Sequence, residues 1–160
     1  MTDFAGVIRT LVDAGVDFII VGGVAGTVHG SARLTRDVDV VYARSPENMR
    51  RLVDALSSHN PYLRGAPQGL PFLWDLNTIQ RGLNFTLTTR LGDLDLLGEL
   101  TGGGGFEQLR EHSSTVRVFD RDVQVLDLDW LIRVKRAAGR PRDLEALAEL
   151  EALREERDRH

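Results

Sequence analysis

The sequence predicts a mixed α/β (α+β) fold, with one twisted mixed sheet, flanking helices and a short helical C-terminal tail. Three observations carry that expectation. Short apolar or alternating runs at 17–21, 37–42, 83–88, 93–97, 116–119 and 123–126 have the length and period of strands. Segments with apolar side chains at helical spacing lie between and after them. The length, 160 residues, suits about one domain. No repeat or linker divides the chain, so residues 1–160 read as a single domain with a core to about 126 and a helical tail from about 127.

In order, Phe4, Val7, Ile8, Leu11 and Val12 mark a first helix that Gly15 stops. Residues 17–21 form a strand that ends in Gly22-Gly23, and a short helix over 24–28 follows, closed by Gly30 with His29 near its last carbonyls. Residues 37–42 alternate strictly, putting Asp37 and Asp39 on one face and Val38 and Val40 on the other. Ser45-Pro46-Glu47 supplies an N-cap, a proline at the first helical position and an acid in the first turn of a helix reaching about Ser57. Residues 60–80 hold three of the five prolines and read mainly as loop. The runs at 83–88 and 93–97 form a hairpin through Arg90-Leu91-Gly92, and 102–105 form a flexible connector. A second hairpin turns at Asp120-Arg121-Asp122. Helices from about 128 and over about 142–157 close the chain, separated by Gly139-Arg140-Pro141.

Composition excludes several classes. There are no cysteines, hence neither disulfides nor thiolate chemistry. No apolar run approaches the ~18 residues that span a bilayer, and the first residues lack the features of a signal peptide. A cytoplasmic protein with no membrane partner is expected. A net charge of −4 argues against coating nucleic acid by bulk electrostatics. Of the 20 basic residues only Lys135 is a lysine, which singles it out.

The chemistry concentrates in residues 21–41, VGGVAGTVHGSARLTRDVDVV. Gly22 and Gly23 let a ligand approach the backbone, and a helix starting there turns unpaired N–H groups toward whatever lies over them, as a phosphate seat requires. The next strand returns two carboxylates on one face. Such oxygens suit Mg²⁺, or Mn²⁺, bridging substrate phosphates. Asp93 and Asp95 share a face of their own strand, and spacing does not choose between them as a third carboxylate.

Gly22, Gly23, Ala25, His29, Gly30, Arg33, Thr35, Asp37 and Asp39 follow the pattern Gly-Gly-x-Ala…His-Gly-x-x-Arg-x-Thr-x-Asp-x-Asp. In this the chain resembles nucleotidyltransferases of the polymerase-β-like superfamily, and in particular small stand-alone bacterial relatives of the AbiEii and MenT toxin type. The likeness extends through Asp95 in DLDLLGEL, the glycines at 102–105 and the tail LIRVKRAAGRPRDLEAL. It implies an Mg²⁺- or Mn²⁺-dependent enzyme that uses an NTP. By the resemblance, Asp37, Asp39 and Asp95 hold metal, Asp95 completes the site and acts as base, and Lys135 and Asp143 assist. It departs from the pattern at Arg142, where a lysine is expected, and a guanidinium is not an ammonium at a close contact. The implied acceptor is RNA, in particular a tRNA 3′ end, with a neutralising antitoxin as partner.

Each residue also has a plainer reading. Alternating acids occur on solvated strands, but Gly22-Gly23 upstream, with Arg33 and Thr35 just before the acids, favours metal. The glycines lack the G-x-G-x-x-G spacing of a dinucleotide fingerprint. Lys135, next on a stripe of Leu128, Leu131 and Ile132, either snorkels to the rim or meets an anion. Asp143 either stabilises a first helical turn or belongs to a nucleotide site with Gly22, Gly23, Arg33 and Thr35. The competing functions are transfer to a protein or a small molecule such as an antibiotic, and a nucleotide- or partner-binding module without turnover.

Overall fold

The structure is a computed structural model that describes residues 1–159. Helix α1 (Phe4–Asp13) begins where Asp3 accepts a hydrogen bond from the Gly6 N–H, and strand β1 (Phe18–Val21) follows it. Helix α2 (Gly22–Val28) starts on the first glycine of the pair, two residues earlier than the sequence suggests, and Gly22 turns the chain into it with a φ of +67° that a side chain would resist. Strand β2 (Asp37–Tyr42) and helix α3 (Pro46–Leu56) lie where expected, and the Ser45 hydroxyl caps the helix from Asn48 N–H.

The segment 60–80 contains more than loop. A two-residue strand β3 (Tyr62–Leu63) adds to the sheet, and a helix α4 (Leu76–Arg81) starts where Asp75 accepts from Thr78 N–H at 2.8 Å. Both escape a periodicity reading because neither is long enough for a period to repeat itself along the chain. Strands β4 (Phe85–Thr89) and β5 (Gly92–Leu97) form the expected hairpin. The glycines at 102–105 are not a free connector. β6 (Glu99–Leu100) pairs with β7 (Gly104–Gly105), and the short helix α5 (Phe106–Arg110) follows at once. Strands β8 (Ser113–Val118) and β9 (Arg121–Leu126) turn through Phe119-Asp120 rather than 120–122, both residues with positive φ, as a two-residue hairpin loop requires. Arg9 of α1 holds that turn through the Phe119 carbonyl at 3.2 Å.

The seven-stranded sheet has the order β3-β4-β5-β2-β1-β9-β8. β2–β5 and β1–β9 pair parallel and the other neighbours antiparallel, so the sheet is mixed. Val38, Val40, Leu94 and Leu96 occupy the face opposite the acids and are wholly buried with Val7, Ile8 and Leu11 of α1. That burial is the main driving force for holding the strands together.

Helix α6 (Leu128–Ala138) belongs to the same core through Leu128, Leu131, Ile132 and Val134. Helix α7 (Pro141–Asp158) folds back along it, burying Leu150 near Gly26 of α2. Glu149 accepts hydrogen bonds from the Ser31 hydroxyl and the Ala32 N–H, so α7 clasps the segment between α2 and β2. The ion pairs that Asp129 makes with Arg154 and Arg157 are exposed and worth about 0–1 kcal/mol each. No helix of the described residues is long and apolar enough to cross a membrane.

One buried polar side chain ties the sheet to α3. Asn48 accepts from Asp17 N–H at 2.7 Å and donates to the Asp17 and Ala43 carbonyls at 3.0 and 2.8 Å, bridging the start of β1 and the end of β2. Asn48→Ala leaves those backbone groups unpaired in the interior and is expected to cost about 2–4 kcal/mol, read as a lower urea midpoint with an unchanged slope.

Candidate active site

Register builds the centre of the site. In the parallel β2–β5 ladder Asp37 lies opposite Asp93 and Asp39 opposite Asp95, so four carboxylates occupy two adjacent rungs on one face. Thr86 and Thr88 of β4 lie level with Asp95 and Asp93, and Val21 of β1 lies level with Asp39. Asp39 is therefore the innermost acid, at the end of β1 where α2 begins. Oxygens of Asp37, Asp39 and Asp95 lie within 4.8 Å of one another. That geometry draws a distinction between Asp93 and Asp95 that spacing along the strand does not. Asp93 stays level with Asp37, farther from Asp39.

The glycine pair fits closely against these acids. A Cβ on Gly22 would lie 2.1 Å from Asp39 Oδ2, and one on Gly23 would lie 2.6 Å from Thr35 Oγ1. Thr35 in turn donates to the Asp37 carbonyl at 3.1 Å. The N-cap residue of α2, Val21, offers no side-chain acceptor to the first-turn amides. His29 ends α2 as expected, but its Nε2 lies 2.7 Å from the Leu126 carbonyl rather than against its own helix.

Beside Asp39 opens a cavity of about 400 Å³ between β5, β6, the later turns of α6 and the start of α7, lined by Gly22, Asn84, Leu97, Glu99, Leu131, Val134, Lys135, Arg140 and Asp143 among others. Val134, not Lys135, continues the buried stripe of α6, which leaves Lys135 at the cavity wall. Its Nζ lies 3.3 Å from Asp143 Oδ1. Asp143 is 1% exposed and also accepts from the Arg140 Nε at 2.6 Å. Burial disfavours its charge, but hydrogen bonds and charges from Arg140 and Lys135 outweigh that and keep its pKa below the ordinary carboxylate value. Asp143 thus positions the two cations. Arg33 does not join them. Its guanidinium lies 3.7 Å from Glu145 of α7, at the surface.

Two functional neighbours escape a sequence reading. Arg140 was visible only as part of a helix start, yet it lines the cavity. Arg64 gave no signal at all. It follows β3, and its guanidinium reaches Asp95 at 2.8 Å, Asp93 at 3.5 Å and Asp37 at 3.6 Å. The sheet order puts β3 beside β4 and β4 beside β5, and no local pattern reveals that neighbourhood.

Electrostatics set Asp39 apart. Burial pushes its carboxyl up to about 8; the charges of Asp37 and Asp95 and a hydrogen bond shared with Asp95 push the same way, and Lys135 opposes them. Asp37 is raised as well, first by burial and then by the Asp95 charge, with Arg64 pulling against both. Asp39 Oδ1 is buried without a hydrogen-bond partner. An all-oxygen donor set with an unsatisfied inward carboxylate oxygen fits a hard divalent cation such as Mg²⁺ or Mn²⁺.

A raised carboxyl pKa has a definite sign for stability. Between pH 3.8, the ordinary value, and about 8, folded Asp39 keeps a proton that the unfolded chain releases. Its contribution is present in full below the lower value and is lost as pH climbs toward the upper one. In chelator, wild-type stability should therefore fall from pH 5 to pH 8 more steeply than that of Asp39→Asn, as measured by urea unfolding at the two pH values.

No protein-family model matches the sequence, and no curated protein sequence matches it. Solved structures do match its fold. A lincomycin-bound lincosamide antibiotic adenylyltransferase, LnuA, superposes with a TM-score of 0.61 at 13% identity, over 92% of this chain and 93% of that one. A putative nucleotidyltransferase from Thermotoga maritima gives 0.53 at 15% identity, over 100% of this chain and 97% of the other. An antigenic nucleotidyltransferase-like protein from Paracoccidioides brasiliensis gives 0.52 at 16% identity, over 95% and 77%. Mixed sheet, flanking helices and C-terminal helix together give this chain the nucleotidyltransferase fold.

Proposed function

We propose that the protein is a metal-dependent nucleotidyltransferase that moves a nucleoside monophosphate from an NTP to an acceptor hydroxyl. The observation that carries this reading is the register-locked cluster of Asp37, Asp39 and Asp95, with an uncapped helix start on Gly22-Gly23 beside it. Asp37, Asp39 and Asp95 would hold Mg²⁺ or Mn²⁺. A metal bound there supplies a Lewis acid that lowers the acceptor pKa and neutralises charge on the phosphates.

In the reaction, the acceptor oxygen attacks the α-phosphorus in line. The bond from that phosphorus to the pyrophosphate oxygen breaks, and the acceptor proton passes to the Asp95 carboxylate. Gly22 and Gly23, with no side chain in the way, let the phosphates approach the amides of α2. Lys135 and Arg140, held by Asp143, face the cavity where negative charge accumulates on the leaving pyrophosphate. Thr35 braces Asp37 and Gly23. Arg33, at its surface position, is left to contact the outer part of a nucleotide or acceptor.

The cavity favours a small-molecule acceptor. Its wall sets Asp39, Glu99 and Asp143 against Lys135 and Arg140, with Leu97, Leu131 and Val134 between, which is not the basic track that a nucleic-acid backbone requires. The lincomycin-bound neighbour is an antibiotic adenylyltransferase. The second reading, favoured by the Gly-Gly…Asp-x-Asp and tail motifs, is a toxin that modifies a tRNA 3′ end and is held in check by an antitoxin.

Incubation with each α-³²P-NTP, Mn²⁺ or Mg²⁺, and a panel of hydroxylated small molecules, total RNA and total protein should put label on the small-molecule fraction. Label on RNA instead would select the toxin reading. In either case Asp39→Asn should lower the rate by at least about a thousandfold, roughly 4 kcal/mol in the barrier. Lys135→Ala should lower kcat by about a hundredfold. Transfer at the wild-type rate in Asp39→Asn would end the nucleotidyltransferase reading.

A further inference from the structure

The acid cluster carries its own cation. Arg64 Nη2 donates to Asp95 Oδ1 at 2.8 Å and to the Leu87 carbonyl at 2.7 Å, Nη1 lies 3.6 Å from Asp37 Oδ2, and Nε lies 3.5 Å from Asp93 Oδ1. One guanidinium thus touches three of the four carboxylates on the β2–β5 face, and its side chain is 26% exposed. It is imperfectly seated, because the buried Nε makes no hydrogen bond. Asp39 receives none of its contacts, so the cluster is only partly neutralised.

A divalent ion bound to Asp37 and Asp95 stands about 2.1 Å from their oxygens. The guanidinium nitrogens lie 2.8–3.6 Å from those same carboxylates. Ion and guanidinium would then share the same carboxylates, with like charges a few ångströms apart in a poorly solvated space, where repulsion is strong. The side chain has a way out, because it is partly exposed above the acids. Arg64 stands at the last ladder contact of β3, where its N–H donates to Thr86 O, and the next residue is Gly65 with a φ of +79° and no atom within 4 Å of where a Cβ would be. Gly69 has the same open surroundings, whereas Trp74 pins the far end of the segment through Val53 O at 3.0 Å. Between Arg64 and Trp74 the Tyr62 hydroxyl donates to the Pro67 carbonyl and accepts from the Leu70 N–H at 3.2 Å, so the segment itself is held and withdrawal is made by the Arg64 side chain.

We propose that Arg64 is a tethered counter-ion that a divalent metal must displace, so that metal entry and Arg64 withdrawal are one exchange. The exchange rests on reading Asp37, Asp39 and Asp95 as the metal site. With Arg64 seated, the carboxylates are kept from repelling one another without metal; with it withdrawn, their oxygens are free to ligate. Arg64 thereby lowers the apparent metal affinity and stabilises the metal-free fold.

The test is calorimetric titration of Mn²⁺, without nucleotide, into wild type, Arg64→Gln and Asp39→Asn, with thermal unfolding of each in EDTA and in saturating Mn²⁺. The expected result is an Arg64→Gln dissociation constant about tenfold below wild type. Its melting temperature should be lower than wild type in EDTA and equal or higher in Mn²⁺, and Asp39→Asn should not bind. Equal or weaker Mn²⁺ binding by Arg64→Gln, with wild type binding normally, overturns the exchange and leaves the metal site standing. The same loss of melting temperature with and without metal also overturns it, since it makes Arg64 a structural residue only. Absence of Mn²⁺ binding in both wild type and Arg64→Gln removes the metal site itself, and the exchange with it.

Discussion

The parallel, in-register pairing of β2 with β5 is the constraint on which the rest of the site depends. It stacks Asp37 on Asp93 and Asp39 on Asp95, an arrangement that electrostatics alone opposes. The opposite face supplies the compensation: Val38, Val40, Leu94 and Leu96 are wholly buried by the same pairing. A slip by one residue would turn the valines and leucines outward and bury the acids, so register is held strongly. The fold can therefore keep an unfavourable charge cluster because the apolar face behind it outweighs the repulsion. Every other site residue is placed relative to that pair of strands.

Two cationic flanks answer the cluster, and they differ in kind. On one side Lys135 and Arg140 are fixed by a buried carboxylate, Asp143, whose oxygens they share. Removing Asp143 would leave two cations poorly placed beside the cavity. On the other side Arg64 is set by a short edge strand, with its side chain partly exposed and one of its nitrogens unsatisfied. The firmer seat on the tail side and the looser one of the Arg64 side chain follow from where each cation sits: next to the core helices, or at the sheet edge.

How much of this could be read from the sequence depended on the range of the causes. The strands at 37–42, 83–88 and 93–97 were legible, because alternation acts between neighbouring residues. Asp37 and Asp39 were legible for the same reason, and Gly22-Gly23 because a turn bearing on a carboxylate tolerates little else. The choice between Asp93 and Asp95 was not, since it is made by the register of two strands remote in sequence. Arg64 was invisible, because its importance comes from the order β3-β4-β5 and its own segment carries no period. Lys135 was singled out by rarity and by a stripe, yet the wall position depends on Val134 taking the buried place. The helices α4 and α5, only 6 and 5 residues long, were missed because so short a stretch has too few positions to show a face.

The long reach of the ladders also bears on how the molecule assembles. Asp39 and Asp95 stand opposite each other although 56 positions separate them (95 − 39), and Ile19 pairs with Gln124 across 105 (124 − 19). Closing such loops is slow and comes after local hairpins such as β4–β5 and β8–β9 have formed. The acids consequently remain far apart for most of the folding reaction and are pressed together only when the central strands dock. Repulsion then falls on the final approach rather than on the early collapse, and cations in the surrounding solution act on the rate of that last step.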